Sequence, residues 1–199
     1  MAPRTLIQVR PLEERPLPGL SWSERLERLR ALLREEGGLI ATLIEDATRP
    51  DHGARPQSPA TVAAAGPRTR ARREEYELLV EAIYEGYLLH YGAPRVVSAQ
   101  EADLGLLAGD RLYAIGLARL VALGDTAAVA ELADTITLSA LAQGAGEQAL
   151  ADAVWAAGAR AVGWGSSEAH RRAKGLALSS APEALEAMRT SAAVPTASP

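Results

Sequence analysis

Apolar side chains recur at helical spacing along most of this 199-residue chain. Over residues 71–91, intervals of three and four predict a helix with one broad apolar face. The apolar positions on that face are Tyr76, Leu79, Val80, Ile83, Tyr84, Tyr87 and Leu88. Similar patterns predict further helices over about 99–122, 126–143, 147–162, 167–178 and 182–189. No useful run has the two-residue period of a strand, so we expect an all-α fold, an antiparallel helical bundle.

Short capping motifs predict where several helices begin and end. Ser21 with Glu24, and Ser98 with Glu101, have the spacing of a capping box. Gly124 is expected to end one helix and Asp125 to cap the next. The helix over 99–122 is apolar on most sides, and we expect it to be the central buried helix.

Proline and glycine divide the chain into five parts. Residues 1–20 hold four prolines and are predicted to form an extended N-terminal arm. Residues 21–47 should be a helical appendage, and the Pro- and Gly-rich residues 48–70 a linker. Residues 71–190 should form the helical bundle domain, followed by a disordered tail over 191–199. The arm could wrap a neighbour, and the linker is expected to be either mobile or ordered by a partner.

Composition and charge exclude several classes of site. The net charge of -4 disfavours nucleic-acid binding, which needs a basic face. The absence of cysteine excludes disulfides and thiol chemistry, and the three histidines lie too far apart to suggest a metal site. No apolar run is long enough for a transmembrane segment, and the N-terminus lacks the apolar stretch of a signal peptide. A cytoplasmic location is therefore expected.

Two candidate chemical features lie in the predicted helices and turns. Asp103 and Asp110 are seven residues apart, so both could bind Mg²⁺ from one helix face. Alternatively, Asp110 hydrogen-bonds a neighbouring helix while Asp103 is solvated. The Gly-rich segment 163–167 lacks the preceding strand and the following lysine of a phosphate loop, which favours a turn between helices.

The segment Leu106-Leu107-Ala108-Gly109-Asp110-Arg111-Leu112-Tyr113-Ala114 resembles the Leu-Ala-Gly-Asp helix of trans-polyprenyl diphosphate synthases. The likeness continues weakly to Gly146-Glu147-Gln148 and covers roughly residues 71–155. It implies roles in the family motif and in helix packing for Gly109, Asp110, Tyr113, Gly124 and Asp125.

The chain departs from the catalytic members of that family. Those members carry two Asp-Asp-x-x-Asp motifs that hold magnesium on the substrate diphosphate. Here His90 is followed by Tyr91-Gly92-Ala93-Pro94, and the second motif is absent. The resemblance therefore implies a non-catalytic small subunit, without catalytic or metal-binding residues of its own, that supports a catalytic partner in isoprenoid chain elongation. Magnesium would be expected only where a diphosphate is bound together with that partner.

Three alternatives remain open. The chain could be a helical accessory subunit of another complex, or an active synthase. It could also bind an isoprenoid or quinone tail in an apolar pocket lined by Tyr84, Tyr87, Leu107 and Trp155. A homo-oligomer is expected under any of these functions, because the apolar face of helix 71–91 is wider than one partner helix covers.

Overall fold

The computed structural model describes residues 21–45 and 58–193. Within these ranges the chain forms nine α-helices, and the all-α class predicted from the sequence is confirmed. The helices are α1 (Trp22–Glu36), α2 (Gly38–Thr42), α3 (Pro59–Ala65), α4 (Arg73–Tyr91), α5 (Ala102–Ala122), α6 (Thr126–Gly144), α7 (Gln148–Trp164), α8 (Glu168–Leu178) and α9 (Ala184–Ala193). A 3₁₀ turn at Arg70–Arg72 precedes α4. The predicted arm over 1–20 and the end of the tail from residue 194 lie outside the described residues.

Two helices, α4 and α7, organise the packing. α4 lies against α5, α3 and α1, whereas α7 lies against α6, α3 and α9. The short helix α3 contacts both of them, and α8 packs on α9 and α6. Other helices of the same chain therefore cover the apolar face of α4. This is the face that the sequence analysis predicted to form an oligomer interface.

The N-terminal helices belong to the core. The Ser21 capping box is confirmed, since Ser21 Oγ accepts the Glu24 amide at 3.3 Å and Glu24 Oε2 accepts the Ser21 amide at 2.7 Å. Three leucines of α1, Leu26, Leu29 and Leu33, are fully buried and pack with residues of α4 and α5. Residues 21–45 are thus an integral layer of the bundle rather than the predicted appendage.

The second predicted capping box, at Ser98, does not form. α5 begins at Ala102, and its N-cap Glu101 makes no side-chain capping bond. The Ser98 amide instead donates to Leu43 O at 2.9 Å, and the Glu45 amide donates to Val96 O at 2.8 Å. These two bonds hold residues 96–98 against residues 43–45, so Ser98 does not cap α5.

Part of the predicted linker is a buried helix. Residues 46–57 lie outside the described residues, but α3 and the 3₁₀ turn occupy most of 58–72. Ala60, Ala63 and Ala64 are buried, and Pro59 is compatible with the first turn of a helix. The small side chains allow α3 to lie very close to α7, with the Arg68 amide donating to Gly163 O at 3.0 Å. The linker prediction over 48–70 is therefore wrong for residues 58–70.

The most buried helix is α7 and not α5. Eleven of the seventeen residues of α7 are buried, against seven of the twenty-one residues of α5. α7 consists largely of alanine and glycine, which let three neighbouring helices approach it. On α5, Leu106, Leu107 and Val121 are instead exposed, so the prediction of a central helix over 99–122 is wrong.

Candidate functional site

The motif glycine of the sequence lies where α4 and α5 touch. α5 runs antiparallel to α4, and a Cβ placed on Gly109 would lie 2.5 Å from the His90 ring and 3.0 Å from Gly86 O. A Cβ on Gly86 would in turn lie 2.9 Å from Gly109 O. No side chain fits at either position without displacement, so Gly109 serves the packing of the two helices.

The motif aspartate lies beside the same histidine. Asp110 Oδ1 lies 3.3 Å from His90 Nε2, and the Asp110 side chain is 67% exposed. The His90 ring stacks on Tyr113 with centroids 5.4 Å apart. Burial, followed by the charges of Tyr91 and Asp110, raises the pKa of Tyr113 well above its usual value. His90, Asp110 and Tyr113 thus join the C-terminal turn of α4 to α5. Asp103, seven residues before Asp110 on α5, is exposed to solvent.

Gly124 and Asp125 form the turn between α5 and α6. Gly124 has φ +80°, a conformation that favours glycine. Asp125 caps α6 by accepting the Ala128 amide at 3.0 Å, and it also accepts the Tyr76 hydroxyl at 2.7 Å and Arg68 Nη2 at 3.1 Å. Burial opposes ionisation of Asp125, but the bond from Tyr76 and the other donors outweigh it and lower its pKa. Burial and the Asp125 bond together raise the pKa of Tyr76 to about 12.

The predicted pocket aromatics form a packed cluster. Trp155 lies 4.9 Å from the Tyr84 ring and 5.2 Å from the Tyr87 ring, and the two tyrosine rings are 5.8 Å apart. Gln143 Nε2 donates to the Tyr87 hydroxyl at 2.6 Å. Burial is the main cause that raises the pKa of both tyrosines. Leu107 does not join these rings, because its side chain is 62% exposed on α5.

A row of three buried glutamates on α4 was not found by sequence reasoning. Glu77, Glu81 and Glu85 follow one another at intervals of four, and each is at most 2% exposed. Arg25 of α1 reaches Glu77 at 3.5 Å, and Arg95 Nη1 lies 2.6 Å from Glu81. Burial raises the pKa of Glu77, an effect that Arg25 only partly offsets. The signal in the sequence was the regular spacing of four, which places all three carboxylates on one helix face.

Glu85 binds the segment that precedes α5. Its Oε1 accepts the backbone amides of Arg95 at 2.5 Å and Val96 at 2.6 Å, and its Oε2 lies 2.9 Å from Arg95 Nε. The Arg95 guanidinium also lies over the Tyr84 ring, 5.2 Å from its centroid. Burial disfavours the charge of Arg95, but Glu81 and Glu85 outweigh that effect and raise its pKa. Glu81 and Glu85 are therefore both paired with Arg95, and Glu85 also binds two backbone amides.

A second buried network joins α6, α8 and α9. His170 Nε2 lies 3.1 Å from Glu131 Oε2, its Nδ1 lies 3.3 Å from Ser191 Oγ, and Lys174 Nζ lies 3.0 Å from Glu131. Burial alone would raise the pKa of Glu131, but hydrogen bonds from His170 and Lys174 lower it to about 2.

Ser191, His170 and Glu131 are the residue types of a nucleophilic triad, but their hydrogen bonds differ from those of a triad. A nucleophilic serine must donate its proton to the histidine. Here Ser191 Oγ donates to Met188 O at 2.9 Å within its own helix, and Ser191 is 7% exposed. The network therefore holds α9 against α6 and α8.

The described part of the chain offers few other places for a ligand. Within residues 21–45 and 58–193, no group of three or more acidic or histidine side chains is arranged to hold a metal ion. Among the same residues no helix is long and apolar enough to cross a membrane. An open hollow of about 470 Å³ lies between the α6–α7 and α8–α9 turns, lined by Gln148, Leu150, Pro182 and Leu185 among others.

No protein-family model, curated protein or solved structure matches this chain. The likeness of residues 71–155 to polyprenyl diphosphate synthases therefore stays a prediction from the sequence.

Proposed function

We propose that this chain is a non-catalytic accessory subunit that supports a polyprenyl diphosphate synthase in isoprenoid chain elongation, in the cytoplasm. One observation carries the proposal. The Leu106–Ala114 segment, which resembles the motif helix of those synthases, holds α5 against α4 through Gly109, and its Asp110 lies beside His90. This packing role supports the proposal, because His90 and Tyr91 stand where the resemblance would place the first acidic motif.

The ion pairs of the buried carboxylates support the proposal that the catalytic site lies on a partner subunit. Ionisation of an allylic diphosphate places a large negative charge on the leaving group, which metal ions and cationic side chains must neutralise. In this chain Glu81 and Glu85 are bound by Arg95, and Asp125 is bound by Arg68, Tyr76 and the first turn of α6. Groups engaged in this way hold the fold together, and a catalytic partner would supply the magnesium and diphosphate site.

The test is co-expression of this chain with the full-length polyprenyl diphosphate synthase of the same genome. We expect the two chains to co-purify, and the pair to make longer products from isopentenyl and farnesyl diphosphates with Mg²⁺ than the synthase alone. Product length is read by mass spectrometry. The same products with and without this chain, or elongation by this chain alone, would refute the proposal.

A helical accessory subunit of a different complex is the second candidate. It is favoured by the exposed apolar side chains on separate helices, among them Leu141 on α6 at 49% and Leu178 on α8 at 65%. Cross-linking mass spectrometry in native lysate separates the two candidates. Reproducible cross-links to proteins unrelated to isoprenoid synthesis would favour this second function.

A further inference from the structure

The hollow between the α6–α7 and α8–α9 turns has apolar walls and an acidic rim. Its walls include Leu150, which is 6% exposed, the half-buried Leu185 and the exposed Pro182. Glu147 lies on the α6–α7 side, and the exposed Glu183 follows Pro182 on the α8–α9 side. Its volume of about 470 Å³ lies within the roughly 300 to 1,000 Å³ of pockets that hold a ligand. The hollow thus offers apolar contacts between two carboxylates.

The carboxylates around the hollow have no cation to balance them. Among the residues that the structure describes, neither Glu147 nor Glu183 forms an ion pair. The exposed Asp152 binds only Gln148, whose Nε2 donates to it at 2.8 Å. None of the described residues that line the hollow is an arginine or a lysine. The electrostatic complement is an occupant with positive charge on both sides of an apolar centre.

The first turn of α7 adds hydrogen-bond donors at the same place. Glu147 is the N-cap of α7, and its side chain makes no capping bond. The first amides of an α-helix have no acceptor within the helix. The carbonyl oxygens of an extended peptide are free to accept such amides. The hollow therefore favours a peptide over a purely apolar molecule.

One segment of the N-terminal arm matches this arrangement. Residues 4–10 read Arg-Thr-Leu-Ile-Gln-Val-Arg, with an arginine at each end and no acidic side chain. Every second position between the arginines is β-branched, a pattern that favours an extended conformation. In that conformation Ile7 and Val9 share one face. The segment therefore carries two apolar side chains on one face, with a positive charge before and after them.

From this match we propose that residues 4–10 dock in the hollow of their own chain. The two apolar β-branched side chains lie against the apolar walls, and the two arginines pair with Glu147 and Glu183. The docked segment then bridges the α6–α7 and α8–α9 turns. Because the arm is tethered to α1, its effective concentration at the hollow is of about millimolar order, so that weak contacts are sufficient.

The arm is long enough to reach the hollow. It joins α1 one turn before Arg25, which lies 3.8 Å from Glu81 of α4. Tyr87, about 9 Å further along α4, is linked through a glutamine of α6 to Gln148 at the hollow. This path crosses three pairs of neighbouring helices, about 10 Å apart, and totals about 45 Å. Residues 7–21 reach about 46 Å when extended, and the straight distance is shorter than the path.

The first experiment uses introduced cysteines, because the chain has none of its own. In the full chain, Ile7→Cys is combined with Ala149→Cys, at an exposed residue that lines the hollow. The matched control combines Ile7→Cys with Ala156→Cys, at an exposed residue about 10 Å further along α7. Under mild oxidation we expect the first pair to form a disulfide within one chain at least about tenfold faster than the control. Non-reducing gels measure both rates.

The second experiment tests the charges in the Ile7→Cys, Ala149→Cys background. Arg4→Glu together with Arg10→Glu sets like charges against the rim and should slow the disulfide at least about threefold. Adding Glu147→Arg and Glu183→Arg should restore the rate. Circular dichroism melts confirm that the variants fold. Salt of about 1 M, which shortens the Debye length to about 3 Å, should slow the reaction without the charge substitutions as well.

Three outcomes would overturn the proposal. Equal rates at Ala149→Cys and Ala156→Cys would show that the arm samples the surface freely. Disulfides between two chains would assign the hollow to the arm of a second copy. A rate unchanged by charge reversal and by salt would remove the role of the rim. The inference does not rest on a synthase partner, so its failure would leave the co-expression test undecided, and a negative co-expression result would leave the docked arm standing.

Discussion

Gly86 of α4 and Gly109 of α5 meet backbone to backbone, so that a Cβ on either residue would lie within 3.0 Å of the carbonyl oxygen of the other. Two turns further along α5, a Cβ on Gly116 would lie 2.4 Å from the Ile83 side chain and 3.1 Å from Leu79 O. Glycine at these positions sets the distance between the two helices, and with it the position of every side chain on the outer face of α5.

Gly109→Ala should destabilise the protein by about 1 to 3 kcal/mol, because the new methyl group meets the His90 ring at 2.5 Å. Gly175→Ala is the control, since its Cβ would have nothing within 4 Å inside α8. It should stabilise the protein by about 0.5 to 1 kcal/mol through helix propensity. Urea unfolding followed by circular dichroism measures both, and an equal effect of the two substitutions would contradict this account of the contact.

Glu85→Gln should cost roughly 3 kcal/mol of unfolding free energy, because it leaves the Arg95 guanidinium buried with one of its two carboxylates removed. Glu74→Gln serves for comparison. Glu74 is 65% exposed and pairs with Arg28 at 2.7 Å, so its loss should cost less than about 1 kcal/mol. Chemical denaturation near neutral pH compares the two, and similar losses would show that the buried row is not held by charge.

Acid should weaken the attachment of α9 through Glu131. The pKa of Glu131 is lowered from 4.5 to about 2 in the folded protein, so the unfolded chain takes up the proton first. Its contribution, of order 3 kcal/mol, is present above about pH 4.5 and is lost as the pH falls towards 2. Glu131→Gln should be less stable near neutral pH and lose less stability on acidification.

Unfolding free energies of the wild type and Glu131→Gln at several pH values between about 2 and 7 measure that difference. Glu186→Gln is the control, because Glu186 is 74% exposed and pairs within its own helix. Parallel pH profiles of the wild type and Glu131→Gln would show that the Glu131 network contributes nothing to acid sensitivity.

Features fixed by neighbouring residues could be predicted from the sequence. The caps at Ser21 and Asp125 form as expected, because each binds an amide three residues away. Ser98 has the same local pattern and fails, because its amide pairs with Leu43, which is fifty-five positions distant. A local sequence pattern does not reveal a competing hydrogen-bond partner that comes close only in the folded chain.

The buried glutamates of the candidate site could not be predicted from the sequence for a related reason. Glu81 on a helix is ordinarily a solvated residue, and its burial depends on Arg25 and Arg95, which come from other parts of the chain. Pro59 and the alanines after it indicated a loop, because the helix they form is stabilised by contact with α4 and α7 rather than by its own periodicity.

Homologous chains should differ least along α7. Its alanines and glycines lie against helices on three sides, and a methyl group on Gly158 or Gly163 would overlap Thr135 or the backbone of α3. Natural variation would then accumulate on the outward faces of α6 and α8, while α7 keeps its small residues even where no recognisable motif is preserved. A search for distant relatives would do best to weight this run of small residues above any charged position.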